Sequence, residues 1–235
     1  MKKSLAAAAL GAAVLSAAVA AAAGAADPGL DMARTAQFDF DPPKAGTYTL
    51  PVIKPLPDGA VLDEDGKRRS LRALVAGRIA LISFIYTRCS DPNGCPLATA
   101  VLYDIHDASA ADRALAENLH MVSLSFDPAH DTPEVMAGFR GFDTGSGPAR
   151  SEWSFLTTAS QADLDPILAD FDQVVRRRVD AQGKDMGLYA HQLRVYLVDR
   201  RGRVRNIYGL GFLDPRLLVA DVHTLLAEER RAASQ

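Results

Sequence analysis

Ile79-Ala80-Leu81-Ile82-Ser83-Phe84-Ile85-Tyr86-Thr87-Arg88-Cys89-Ser90-Asp91-Pro92-Asn93-Gly94-Cys95-Pro96-Leu97 runs from a short apolar segment into a polar loop that holds both cysteines of the chain. The apolar part is rich in isoleucine and aromatic residues and reads as a strand buried on both faces. Pro96 suits the first turn of a helix, where its missing N–H would have had no partner, and Leu97 to Leu102 continue one. One thiol thus lies in a strand-to-helix loop and the other at a helix N-terminus. There the peptide dipoles favour the thiolate, the form that attacks disulfides and binds soft metals. Asp91-Pro92-Asn93-Gly94 has the residues of a type I turn, whose ends come within ~7 Å, so Cys89 and Cys95 can face each other. A structural disulfide closing so short a loop would contribute only ~2–2.5 kcal/mol, and a chain of 235 residues can build its core without one. The pair reads instead as a redox-active or metal-binding dithiol.

Outward from this stretch, the N-terminus carries Lys2-Lys3, then an alanine-dominated run from Leu5 to Ala23, then small residues up to Ala26. This is the pattern of a secretory leader, expected to be cleaved near Ala23 or Ala26, with an uncleaved membrane anchor as the rival reading. Export places the thiols in an oxidising space, where they pair unless reduced or metal-loaded. Removing residues 1–26 takes away two lysines and no acid, which moves the net charge from −3 to −5. That balance argues against nucleic-acid binding and against anionic membrane surfaces. The run Arg176-Arg177-Arg178 reads as a solvated strand edge.

Residues 27–45 hold little apolar periodicity and include Pro42-Pro43, as expected of a linker or loosely packed arm. Asp63 to Lys67 reads as a hairpin turn between two short strands, and Ser70 as the cap of one helical turn. The helix from Cys95 is expected to reach about Leu115, with a break near Ser109. His120 to Phe126 is a strand. Thr132, Pro133 and Glu134 open a helix with a capping hydroxyl, proline at its first position and an acid in its first turn. Gly141 to Gly147 is loop-like, Trp153 to Leu156 a strand, and Ser160 to Phe171 a helix. Val174 to Asp180 is read as a strand with Gln182-Gly183 as a turn. Leu193 to Val198 is a strong strand, turning at Asp199 to Gly202 into its partner, Val204 to Tyr208. Asp214-Pro215 starts a last helix with Leu217, Leu218, Val222, Leu225 and Leu226 at helical spacing. This order predicts an α/β, thioredoxin-like fold: a central mixed sheet flanked by helices, with an N-terminal hairpin extension. Its domain is expected over residues 46–230, with 231–235 as a tail.

Several segments together resemble the Sco (SenC) family of exported copper proteins. Phe84 to Cys89 with Cys95-Pro96 is similar to that family's metal-binding loop. Leu124-Ser125-Phe126-Asp127-Pro128-Ala129-His130-Asp131-Thr132-Pro133-Glu134 and Trp153-Ser154-Phe155-Leu156-Thr157 are similar to two further signatures. His191 stands eight residues before Asp199, the family's spacing from its histidine ligand to the end of that strand. Two features depart from the family pattern. Five residues separate the cysteines where the family has three, and Gln192 follows the histidine where the family has serine.

The resemblance implies a metal site of Cys89, Cys95 and His191, with copper as the metal. Thiolates select Cu(I), an added imidazole lets the same site hold Cu(II), and three donors leave one side open for transfer. On residues alone His191 would be a packed histidine, sharing strand parity with Leu193, Val195 and Leu197 and facing inward. His130 reads as a loop residue, and His106, His120 and His223 as structural or exposed. Asp127 and Asp131 either order the loop beside the metal or serve as caps and turn formers. The implied function is an exported, periplasmic copper chaperone. Its implied partner is the cytochrome c oxidase subunit carrying the copper site, or another copper or thiol relay protein. The alternative is a thiol-disulfide oxidoreductase using Cys89 and Cys95 as a catalytic pair without metal. A peroxidase would need an activating environment for its cysteine that no residue pattern identifies here.

Overall fold

A computed structural model describes residues 32–141 and 149–234. The expected leader, 1–26, lies outside the described residues, as does most of the 141–147 loop. In chain order the elements are β1 (Lys54–Pro55), β2 (Ala60–Leu62), β3 (Arg68–Ser70), α1 (Leu71–Leu74), β4 (Ile79–Ile85), α2 (Cys95–Ala108), α3 (Arg113–Asn118), β5 (Leu119–Ser125), α4 (Pro133–Phe139), β6 (Glu152–Leu156), α5 (Gln161–Asp170), β7 (Val175–Val179), β8 (Asp185–His191), β9 (Val195–Val198), β10 (Arg203–Tyr208) and α6 (Pro215–Ala233), with a 3-10 turn at Leu210–Phe212.

The central sheet has the order β1-β10-β9-β4-β5-β6. β4 pairs parallel with β5 and antiparallel with β9, and β5 pairs parallel with β6, so the sheet is mixed. All seven residues of β4 are buried, as are all seven of β5, as their positions between two neighbours and under flanking helices demand. Ser83 and Ser123, buried side by side in the sheet, lie 3.3 Å apart through their hydroxyls, and the Trp153 indole N–H donates to Ser123 at 3.1 Å. Such polar groups persist in a core because they satisfy one another. This is the expected thioredoxin-like α/β architecture, and the β2–β3 hairpin is its N-terminal extension.

The expected helix starts are found. Ser70, Thr132, Ser160 and Asp214 each accept a backbone N–H of the first turn. α2 stops at Ala108 with Ser109 as its C-cap, and a separate short helix, α3, follows. α6 continues through 231–233, where a tail was expected. The arm at 32–45 is less loose than its composition implied. Phe38 is fully buried, the Arg216 guanidinium lies over its ring, and Thr35 bonds to Leu213 and Asp214. A single aromatic anchor is enough to seat a segment that lacks periodicity.

One expectation is corrected. Leu193 to Val198 is not one strand with His191 in phase before it. β9 begins at Val195, and His191 ends β8, which the sequence reading had not found. β7 and β8 form their own two-stranded antiparallel sheet, with Val175 opposite His191. The physical reason is polarity: a strand carrying three successive arginines cannot enter a sheet interior, so it folds out as a solvated ribbon. Its return corner is held by Gln173, which donates to the Gln192 carbonyl at 2.6 Å, and by Arg194, which donates to the Asp172 carbonyl at 2.7 Å. The inward-parity argument for His191 therefore fails, although its ring does reach the interior by another route.

Candidate metal centre

β4 delivers Tyr86 and the cysteine loop to the edge of the core. The Cys89 N–H returns to the Tyr86 carbonyl at 3.1 Å, and the Gly94 N–H to the Asp91 carbonyl at 2.9 Å, closing the expected turn. A Cβ at Gly94 would sit 3.3 Å from the Cys89 sulfur, so any side chain there would crowd the thiol. Cys95 opens α2 and is buried, while Cys89 is partly exposed, and both thiols are free. From the far end of the chain, β8 brings the His191 ring against Tyr86 and Phe126, with centroids 5.8 and 4.9 Å away. Its Nε2 lies 3.5 Å from the Cys95 sulfur. One donor atom from each of Cys89, Cys95 and His191 falls within 4.8 Å of the others. Cys89 and His191 border an open groove of 1190 Å³ whose wall includes Arg178, Arg194 and Leu210.

The two thiols are unequal. Cys89 is held down to about 5, chiefly because the Cys95 thiol donates to its sulfur and also because the backbone N–H groups of Cys95 and Asp91 point at it. Cys95 is pushed up, because it keeps the proton it shares with Cys89 and because it is buried. The helix N-terminus thus serves the sulfur facing it from the loop and not, as the sequence reading had it, the cysteine that stands on it. The expected consequence is that iodoacetamide alkylates Cys89 of the reduced protein at a rate that halves only when the pH falls to about 5. An ordinary thiol would already have lost half its rate near its own, much higher pKa. A profile with its midpoint above pH 8 would refute the assignment.

Asp127 and Asp131 order the loop and do not cap a helix. Asp131, fully buried, accepts from the Thr87 N–H at 3.0 Å, the Thr87 hydroxyl at 2.5 Å and the Ser125 hydroxyl at 2.5 Å. Asp127, also buried, accepts from Arg88 at 2.6 Å and from the Tyr189 hydroxyl at 2.8 Å. It ties the residue before Cys89 to the strand that carries His191. Burial, and then the bond to Asp127, push the Tyr189 phenol up to about 12, so it remains a donor. Sequence reading missed Tyr189. The available signal was the Gln182-Gly183 turn after the arginine strand, which demands a return strand with Tyr189 and His191 on one face.

The other histidines lie apart from this centre. His130 is exposed. His120 is buried 2.9 Å from the Ser154 hydroxyl, and burial lowers its pKa. His106 packs near Trp153, and His223 pairs with Asp112 at 2.7 Å.

The sequence model of the SCO1/SenC family matches residues 60–227. Among solved structures, the chain is similar to a SCO1/SenC family lipoprotein from Bacillus anthracis str. Ames, with 23% identity and a TM-score of 0.58 over 74% of this chain and 95% of that one. It is similar to BsSco, described as a member of the Sco family of cytochrome c oxidase assembly proteins, with 26% identity and a TM-score of 0.54 over 76% and 98% of the two chains. It is also similar to Arabidopsis thaliana ScoI with copper bound, with 18% identity and a TM-score of 0.54 over 74% and 98%. No curated protein matches the chain.

Proposed function

The chain belongs to the SCO1/SenC family, and on that premise we propose that it is an exported copper chaperone that holds its cargo on Cys89, Cys95 and His191. The observation that carries this reading is the convergence of two sulfurs and one imidazole nitrogen within 4.8 Å. The donor set fits the ion. Two sulfurs suit Cu(I), and one imidazole extends the site to Cu(II). First-row ions bind such donors at roughly 2.0–2.3 Å, which keeps the donors about 4 Å apart, so the groups need to close by only a fraction of an ångström.

The chain's own residues have separate tasks. Cys89 presents a sulfur already stripped of its proton, while Cys95 releases one as it binds, which makes uptake pH-dependent. Tyr86 and Phe126 hold the imidazole ring in place. The Arg88–Asp127–Tyr189 chain fixes the distance between the cysteine loop and the histidine strand. The open groove leaves the site accessible to an acceptor.

The acceptor we infer is the copper-carrying subunit of cytochrome c oxidase, in keeping with the description of BsSco. The named lipoprotein relative supports export, which for this chain means a periplasmic protein whose residues 1–26 act as the leader. No helix among the described residues is long and apolar enough to cross a membrane.

One observation favours a second reading, a metal-free thiol-disulfide oxidoreductase: a low-pKa, partly exposed Cys89 beside a protonated, buried Cys95 is also the arrangement of a nucleophile and its resolving thiol. Titration of the reduced protein with Cu(I) against a chromophoric chelator separates the two. Saturation at about one ion per chain is expected; rapid disulfide reduction with no copper uptake would establish the second reading.

A further inference from the structure

Ser90 to Gly94, the five residues between the cysteines, are short of long-range support. Among the described residues their hydrogen bonds are local, with one exception. Gly94 stands at the N-cap position of α2 and offers the helix no side-chain bond. The Asn93 N–H turns back on the Asp91 carboxylate at 3.0 Å. The exception comes from 56 positions away: the Gln37 side-chain amide donates to the Asn93 Oδ1 at 3.0 Å.

Gln37 belongs to the arm whose composition read as a linker. Its neighbour Phe38 is fully buried, with the Arg216 guanidinium 5.6 Å from its ring centroid and the Phe40 ring 4.2 Å away. Thr35 bonds through its N–H to the Asp214 carboxylate at 2.9 Å and through its hydroxyl to the Leu213 carbonyl at 3.0 Å. The Phe38 N–H closes a turn on the Thr35 carbonyl at 3.1 Å, and Arg216 reaches Asp41 at 3.5 Å. Gln37 therefore sits within a turn pinned at both ends. An exposed bond between two amides gives little when both partners must be ordered to make it. Here one partner is ordered in advance, so more of the bond is left to order the other. A loop of five residues also has more conformations to lose on closing than a loop of three, and Asn93 lies in the turn that closes this one.

We propose that residues 35–41 form a strap on the widened cysteine loop, with Gln37 as a positioning residue that acts through Asn93 to keep the two sulfurs within ligand reach. The strap compensates for the two residues by which this loop exceeds the family's spacing. The proposal rests on the copper reading for what the geometry serves, but the geometry itself belongs to the metal-free chain.

Equilibrating the full, metal-free chain with a buffer of reduced and oxidised glutathione measures how often the two thiols meet, as the effective concentration of one at the other. Gln37→Ala and Asn93→Ala should each lower that value about three- to tenfold, the range of one net hydrogen bond. The double variant should lose no more than either single one, because both remove the same contact. The urea midpoint of Gln37→Ala should stay at the wild-type value, since Phe38 seats the arm. Phe38→Ala frees the whole strap and should lose at least as much effective concentration, with no further loss when Gln37→Ala is added. The two exposed substitutions carry the test even where Phe38→Ala does not fold. Single variants at the wild-type value, losses that sum in the double variant, or a urea midpoint that falls with Gln37→Ala would overturn the proposal. In competition titrations with a Cu(I) chelator, affinity should fall in step with effective concentration. A chain that binds no copper but shows the same coupling between Gln37 and Asn93 would overturn the chaperone reading and leave the strap in place.

Discussion

His191→Ala should weaken Cu(II) binding by more than the roughly 10–100-fold that loss of a supporting group around a metal site costs, while Cu(I) uptake stays near one ion per chain. The imidazole is the donor of the three that suits Cu(II), whereas two thiolates already make a favourable site for Cu(I). Its removal should do little to the fold, because the ring lies at the end of a ribbon outside the central sheet and its contacts there are with Tyr86, Phe126 and Cys95. Competition titrations with a chelator of known affinity for each oxidation state measure both effects. An unchanged Cu(II) affinity would remove His191 from the site, and equal losses for both states would mean that the ribbon had collapsed.

The second large effect is on stability. Asp131→Ala should cost about 3 kcal/mol or more, because the Thr87 N–H and the hydroxyls of Thr87 and Ser125 lose their common acceptor. Each buried donor left unsatisfied costs roughly 1–3 kcal/mol, and a water entering the vacated space offsets part of the sum. Asp131→Asn keeps one acceptor oxygen and should cost about half as much. Urea unfolding of the reduced protein reads both values, and the slope of the transition should not change. The same variant should loosen the cysteine loop, since Thr87 lies two residues before Cys89. A loss below about 1 kcal/mol for the alanine variant would show that the carboxylate is not the loop's anchor.

Much of the fold was legible along the chain because it is written in local chemistry. The apolar run at 79–85 has the length and composition of a strand buried on both faces. Thr132, Ser160 and Asp214 cap helices whose first turns they satisfy, and Asp199 to Gly202 turns a hairpin. These signals depend on residues within a few positions of one another, so no knowledge of the rest of the molecule is needed to read them. The two cysteines were legible for the same reason: a turn of four residues brings them together whatever surrounds it.

The histidine was another matter. Its position eight residues before Asp199 pointed to a ring that the structure brings within 3.5 Å of the Cys95 sulfur, but the strand parity invoked for it was wrong, because the chain passes from the ribbon into the central sheet between His191 and Val195. Tyr189 and the linking role of Asp127 were invisible for the same reason, since both depend on a ribbon that packs over a loop distant in sequence.

Chain order alone established a dithiol at the exit of a core strand and a helix to follow it, because those are short-range matters of periodicity, capping and turn chemistry. It took the packed molecule to carry an imidazole across 96 positions to the Cys95 sulfur, and to swing an arginine-lined edge beside the same groove. Both outcomes follow from one long-range event: a charged hairpin too polar for the sheet is expelled from it and settles over the cysteine loop, where Asp127 holds it.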